Sequence, residues 1–154
     1  MKNLSKIPLL KNVNLKNVNI FKKLLNDYLT ELNTKLSFKN KKKILSSINN
    51  IVLNKDKKKY ILTDNQRAIG ILILNFSKNI FSQKVCYVND IFILKKFRRN
   101  GFAKSIIRAL ILKLKKKNNL ELRIEIIHNN FAAINFWKQF RIKRKSTNYI
   151  ISLK

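Results

Sequence analysis

Glycine, proline, cysteine and histidine are all scarce in this 154-residue chain, with two, one, one and one copies. Two glycines and a single proline exclude collagen-like and flexible low-complexity classes. One cysteine, Cys86, excludes a disulfide framework and a cysteine-built zinc site. With His128 as the single histidine, no protein-only metal cage is expected either. Acidic residues are rare as well: 7 Asp and Glu stand against 35 Lys and Arg, for a net charge of +28. Long apolar runs are missing. The longest, 68–74, is far short of the roughly 18–20 residues that span a membrane, so no membrane partner is expected. Lys2, Lys6 and Lys11 interrupt the apolar residues at the start, which leaves no signal-peptide core. These absences predict one soluble, cytoplasmic domain over 1–154, monomeric or homodimeric.

What is present is enough to fold. The hydrophobic content is 45%, and a chain of this size buries roughly 70% of its unfolded surface. The positive charge favours anionic partners, meaning nucleic acid, phosphorylated cofactors or acidic surfaces. Yet only 7 of the 35 basic residues are arginine, the better residue for bidentate phosphate recognition. Lys, Asn and Ile, whose codons are A/T-rich, make up 72 of the 154 residues. The charge therefore reads mainly as coding bias, although a basic surface attracts RNA or the ribosome whatever produced it.

Apolar residues at three- and four-residue spacing (Val18, Phe21, Leu25, Tyr28, Leu29, Leu32) predict a helix over 15–33. A second follows through Ile44, Leu45, Ile48, Ile51 and Val52, with Ser37 as its N-cap. Strands are expected at 7–10, 60–63, 69–76, 85–94, 121–127 and 149–153, with a turn at Asp64, Asn65 and Gln66. Helices are expected at 101–117 and 130–140, the latter capped by Asn129 or Asn130. The order is β-α-α-β-β-β-α-β-α-β, an α+β layout built on a mixed sheet.

The chemistry concentrates between residues 88 and 104, where a strand runs into a basic turn, a glycine and a long helix. A helix N-terminus presents unpaired N–H groups and partial positive charge, so this turn is a cradle for an anion. Gly101 lets backbone approach a phosphate closely, and Arg98 and Arg99 add charge-assisted hydrogen bonds. Alternation along the strand puts Asp90 on one face with Cys86, Val88 and Phe92.

These residues resemble the GNAT superfamily of acyl-CoA-dependent N-acetyltransferases. Its loop motif, Gln/Arg-x-x-Gly-x-Gly/Ala, is matched by Arg98-Arg99-Asn100-Gly101-Phe102-Ala103. A second family motif, Asn-x-x-Ala-(aliphatic)-x-Phe-Tyr, is met by Asn130, Ala133, Ile134 and Phe136, with Trp137 in the Tyr position. Gly70 stands where many members have a glycine in the third strand. The resemblance is specific over 85–142. It implies a mixed, mostly antiparallel sheet flanked by about four helices, with splayed strands that hold acetyl-CoA. The implied pantetheine contacts are the backbone of Ile91, Phe92 and Ile93. The implied pyrophosphate cradle is residues 98–103 with Lys104, and Asn130, Ala133 and Phe136 are the cofactor-side residues of the fourth helix.

The resemblance also implies roles for two candidate catalytic residues. Asp90 matches a carboxylate that binds or deprotonates the substrate amine in small-amine-acetylating members, while a neighbouring Glu position is Asn89 here. An ion pair with Lys or Arg is the structural alternative for Asp90, and Glu125 is a reserve base. Trp137 occupies the position of the usual tyrosine acid. An indole N–H donates a hydrogen bond but supplies no proton near neutral pH, so Trp137 would solvate the leaving thiolate or the thiolate would leave into water. Tyr87 and Tyr149 are the alternative phenols. Arg141 and Ile142 replace the usual Gly-Phe, so the helix must end without its glycine. Cys86 and His128 read as core and loop residues.

Two functions follow. One is transfer of an acetyl group, or a longer acyl group, to an amine acceptor: a small amine, a protein amine or an aminoacyl-tRNA. A polyamine is disfavoured by the +28 charge unless the cleft is acidic around Asp90, Glu121 and Glu125. The other is a catalytically weakened module of the same fold that binds RNA.

Overall fold

Alternating and three-to-four-residue patterns set the elements. The computed structural model describes residues 7–36, 41–79, 81–116, 121–126 and 130–143. Through them run β1 (Leu9–Asn12), α1 (Val18–Leu36), α2 (Lys41–Leu53), β2 (Lys57–Asp64), β3 (Arg67–Lys78) and β4 (Lys84–Ile93). A short 3-10 turn (Lys95–Phe97), α3 (Phe102–Lys115), β5 (Glu121–Ile124) and α4 (Phe131–Lys138) follow. The expected cap at Ser37, the strand at 149–153 with Tyr149, and His128 lie outside the described residues. Contacts gather into two compact units, Met1–Ile124 and Glu125–Lys154.

In the first unit the strands form one mixed sheet in the order β1-β2-β3-β4-β5, antiparallel up to β4 and parallel between β4 and β5. The fold class is therefore α+β, as expected. The β2–β3 hairpin turns at Asn65 and Gln66, both with positive φ (44° and 66°), the mirror-image turn that matches strand twist. The first strand begins two residues later than expected, because Leu9 pairs with Thr63 and Asn12 with Tyr60.

The sheet buries a different set of side chains on each face. On one, Phe21, Leu24 and Leu25 of α1 and Ile48 of α2 pack on Ile61, Ile71, Ile73 and Phe92. On the other, Leu72 and Leu74 face Ile106, Leu110 and Leu114 of α3. Lys59 closes the end of α2, its Nζ donating to the carbonyls of Val52 (2.9 Å) and Asn54 (2.6 Å), where the helix leaves its last acceptors open. No helix among the described residues is long and apolar enough to cross a membrane.

One register shift repositions the candidate carboxylate. Ile73 pairs with Asp90 but Leu74 pairs with Val88, so Asn89 is skipped. A β-bulge of this kind resets the two-residue alternation. Asp90 and Phe92 consequently share the face of Ile73, Ile71 and α1. Val88 and Cys86 share the face of Leu74 and Phe76, on the α3 side. The expectation that Asp90, Val88 and Cys86 lie on one face is corrected by that extra residue. Cys86 is fully buried, and burial pushes its thiol up to about 11, so it stays protonated and packs as a small apolar group.

Gly70 is required by close packing. It pairs with Ile93, and a Cβ built there would sit 2.0 Å from the Phe92 carbonyl oxygen.

The second unit contains α4. The Asn130 side chain accepts from the Ala133 N–H at 3.2 Å, the N-cap expected of an asparagine. Phe136, Trp137 and Phe140 form an edge-on aromatic cluster with ring centroids 5.1–5.7 Å apart. Beyond the helix Arg141 adopts φ 54°. The left-handed turn is thus kept without its glycine, at a cost of about 1–2 kcal/mol.

Candidate active site

The basic turn has the geometry of an anion cradle, but its side chains divide the work unequally. Gly101 sits at φ 72°, ψ 0° and opens α3. The first bond of the helix is Ser105 N–H to Gly101 O (3.0 Å), so the N–H groups of Phe102, Ala103 and Lys104 have no partner within it. Arg99 is exposed, also in the left-handed region (φ 65°). Asn100 braces the turn from within, its Nδ2 donating to the carbonyls of Phe97 (3.2 Å) and Arg98 (3.3 Å).

Arg98 departs from expectation. Its Nε donates to the Ile93 carbonyl (2.8 Å), and its two terminal nitrogens grip both oxygens of Glu31 on α1 (3.0 and 2.6 Å). The guanidinium also lies over the Phe92 ring at 5.4 Å. Three of its five N–H donors are used inside the fold, and its backbone N–H goes to Lys95 O. Arg98 therefore ties the turn to the end of β4 and to α1, and the exposed charges left at the turn are those of Arg99 and, half-exposed, Lys104.

Directly before the turn, pairing between β4 and β5 stops at Val88 with Ile124. The outer edge of residues 90–93 has no strand partner among the described residues. Ile91 is half-buried, and Phe92 and Ile93 are buried. An extended ligand arm could pair there as an added strand.

Asp90 lies on this stretch. Its Oδ1 accepts from the Tyr28 hydroxyl of α1 at 2.8 Å. Burial raises the carboxyl above its ordinary range, while the Tyr28 hydrogen bond and the Lys57 charge pull it back down. Burial, then the adjoining carboxylate, raise the Tyr28 phenol, which stays a donor. Its hydrogen-bond partner among the described residues is thus a phenol, while Lys57 acts on it through its charge. Sequence reasoning read Tyr28 only as a core residue of α1. The available signal was chemical: a core tyrosine needs a hydrogen-bond partner, and acceptors are scarce in so basic a chain.

The remaining candidates are accounted for locally. The Tyr87 hydroxyl accepts from Arg123 (3.2 Å), which is paired with Glu121. Asn130, Ala133, Phe136 and Trp137 gather on α4 in the second unit, where Asn130 and Ala133 make the cap and Trp137 is buried. A groove of about 510 Å³ lies on the α3 side of the sheet, the face opposite Asp90.

Comparison with known proteins gives the same picture. The family model described as the acetyltransferase (GNAT) family matches residues 19–140. No curated protein matches the sequence significantly. A possible acetyltransferase from Clostridium difficile 630 superposes with a TM-score of 0.75 at 10% identity, covering 97% of this chain and 99% of the other. A ribosomal-protein-alanine N-acetyltransferase from Brucella melitensis biovar Abortus 2308 gives 0.73 at 14% identity, covering 94% and 99%. AAC(6')-Iy in complex with the bisubstrate analogue CoA-S-monomethyl-acetylneamine gives 0.66 at 14% identity, covering 97% and 99%. At such identities the likeness is one of fold.

Proposed function

The chain belongs to the GNAT acetyltransferase family, and from that premise we propose that it transfers an acetyl group from acetyl-CoA to a primary amine by direct attack, as a single domain over 1–154. The observation that carries the reading is the order of features along one segment, 90–101: a half-buried carboxylate, an edge with no strand partner among the described residues, then an αL glycine opening a helix.

Acetyl-CoA, when bound, supplies an activated thioester carbonyl. The N–H groups of Phe102, Ala103 and Lys104 bind its pyrophosphate, aided by the helix dipole and by the Arg99 and Lys104 charges. The backbone edge at 90–93 aligns its extended arm. Asp90 attracts the acceptor as an ammonium ion and takes its proton. An alkyl ammonium has a pKa near 10.4, so deprotonation at pH 7 costs roughly 4–5 kcal/mol. A carboxylate raised by burial is a better base for that step. The family motif, not the geometry, assigns Trp137 to the thiolate, as a hydrogen-bond donor only.

The test is calorimetry of acetyl-CoA with protein stripped of nucleic acid, then thiol release with three amines: an alanine-terminal peptide, a lysine peptide and neamine. Micromolar binding with thiol release from one of them is expected. Absence of acetyl-CoA binding overturns the enzyme reading in favour of an RNA-binding module, which Trp137 in the acid position supports.

A further inference from the structure

We infer that Tyr28 is a positioning residue of the acceptor site, holding one oxygen of Asp90 so that the other is presented to the incoming ammonium ion. The inference rests on the acetyltransferase reading above and assigns a role within the same site.

Three observations converge on it. The Tyr28 hydroxyl reaches across 62 residues of sequence to donate to Asp90 Oδ1 at 2.8 Å. Its ring is fixed against Phe92, two residues further along β4, with centroids 5.4 Å apart. Both rings belong to the core between α1 and the sheet, so the hydroxyl has little freedom to turn elsewhere. A phenylalanine would fill this position equally well were packing its sole purpose, and it would remove the cost of burying a polar group.

The bulge at Asn89 makes the meeting possible, because if Asn89 paired with Ile73 in regular alternation Asp90 would fall opposite Leu72, on the α3 side. One turn further along α1, Glu31 holds Arg98. A single helix face therefore fixes the carboxylate at one end of residues 90–98 and the turn at the other.

The chemical consequence concerns charge. Among the described residues the groups that act on the Asp90 charge are the Tyr28 phenol from α1, by a hydrogen bond, and the Lys57 ammonium from β2, through its charge, and both favour the ionised carboxylate. Burial opposes them. Without the phenol the carboxyl holds its proton to higher pH, and a neutral acid neither attracts an ammonium ion nor accepts its proton.

The experiment compares wild type with Tyr28→Phe, using Asp90→Asn as reference. The chain has four aspartates, so carbon-13 labelling of the Asp carboxyls gives few signals, and the one missing in Asp90→Asn is assigned. In Tyr28→Phe that signal should titrate at higher pH than in wild type. With whichever of the three amines wild type uses, KM for the amine should rise about tenfold and the acid limb of kcat/KM should move to higher pH. Acetyl-CoA binding by calorimetry should stay within about twofold. An unmoved Asp90 titration overturns the inference, as does a variant that loses acetyl-CoA binding, which marks Tyr28 as merely structural. Wild type without thiol release from any amine sinks the acetyltransferase reading and this inference with it. A titration that still shifts then separates that failure from a misassigned hydrogen bond.

Discussion

Two side chains one turn apart on α1 hold the same segment, 90–98, and they do so by different physics. Tyr28 grips Asp90 with one short hydrogen bond to a half-buried carboxylate. Glu31 grips Arg98 with two charged hydrogen bonds, on side chains 18% and 34% exposed. The first contact carries one charge into the core and tunes its proton affinity. The second neutralises two charges near the surface and fixes geometry. At the Asp90 end the fold has kept a strained electrostatic state, and at the Arg98 end it has spent charge on rigidity. Reactivity and shape are thus assigned to opposite ends of one nine-residue segment.

The largest disturbance should come from a position that affects both ends. Gly70→Ala forces a methyl into the Phe92 carbonyl, so β3 and β4 must move apart. A loss of about 3 kcal/mol is expected in denaturant unfolding, with acetyl-CoA binding and turnover lost together. If the two functions survive equally well, the segment is not the rigid unit described.

Gly101→Glu should separate the ends. A side chain at φ 72° and a negative charge at the cradle should weaken acetyl-CoA binding more than a hundredfold by calorimetry, while the Asp90 carboxyl signal stays in place.

Asp90→Asn is the converse. We expect kcat/KM for the amine to fall about a hundredfold with acetyl-CoA affinity unchanged. Its effect on stability has a definite sign. The folded-state pKa of Asp90 lies above that of the unfolded chain, so its carboxyl favours the fold fully below the unfolded value, and that contribution is lost as pH rises through the folded value. The Asn variant should therefore match or exceed wild type in denaturation midpoint at pH 7–8, and the gain should disappear in acid. A variant less stable at neutral pH would mean that the buried carboxylate is well compensated.

Glu31→Gln keeps the shape but removes one charge. Weakening of acetyl-CoA binding by about fivefold, coupled to Arg98→Lys in a double-mutant cycle, is expected. Smallest is Arg99→Gly: relief of a left-handed non-glycine should add about 0.5–1 kcal/mol of stability, while the salt dependence of acetyl-CoA binding becomes shallower.

What could be read in the sequence was local. The turn at 98–104, the helix that follows and the N-cap at Asn130 are written in contiguous residues, because their chemistry depends on neighbours a few positions away. The contacts that define the site join residues 62 and 67 positions apart, and no periodicity encodes them. Counting in twos also placed Asp90 on the wrong face, since alternation is blind to a skipped residue until the partner strand is known. The bounds of β1 failed for a simpler reason. All four of its residues are exposed, so there was no buried pattern to read, and its limits are set by pairing with β2. Arg98 was assigned to the ligand on its type, although its partner proved to be one of only three glutamates in the chain.

The bulge at Asn89 also bears on how such a protein can change. Substitutions alter a side chain in place, but pairing Asn89 rather than Asp90 with Ile73 would slide the carboxylate opposite Leu72, into the layer of α3. Loss of Asn89 does the reverse, straightening β4 while Val88 stays opposite Leu74 and Asp90 opposite Ile73. A three-nucleotide deletion at the bulge is thus one the strand can absorb with the carboxylate and the cofactor turn both kept in their layers.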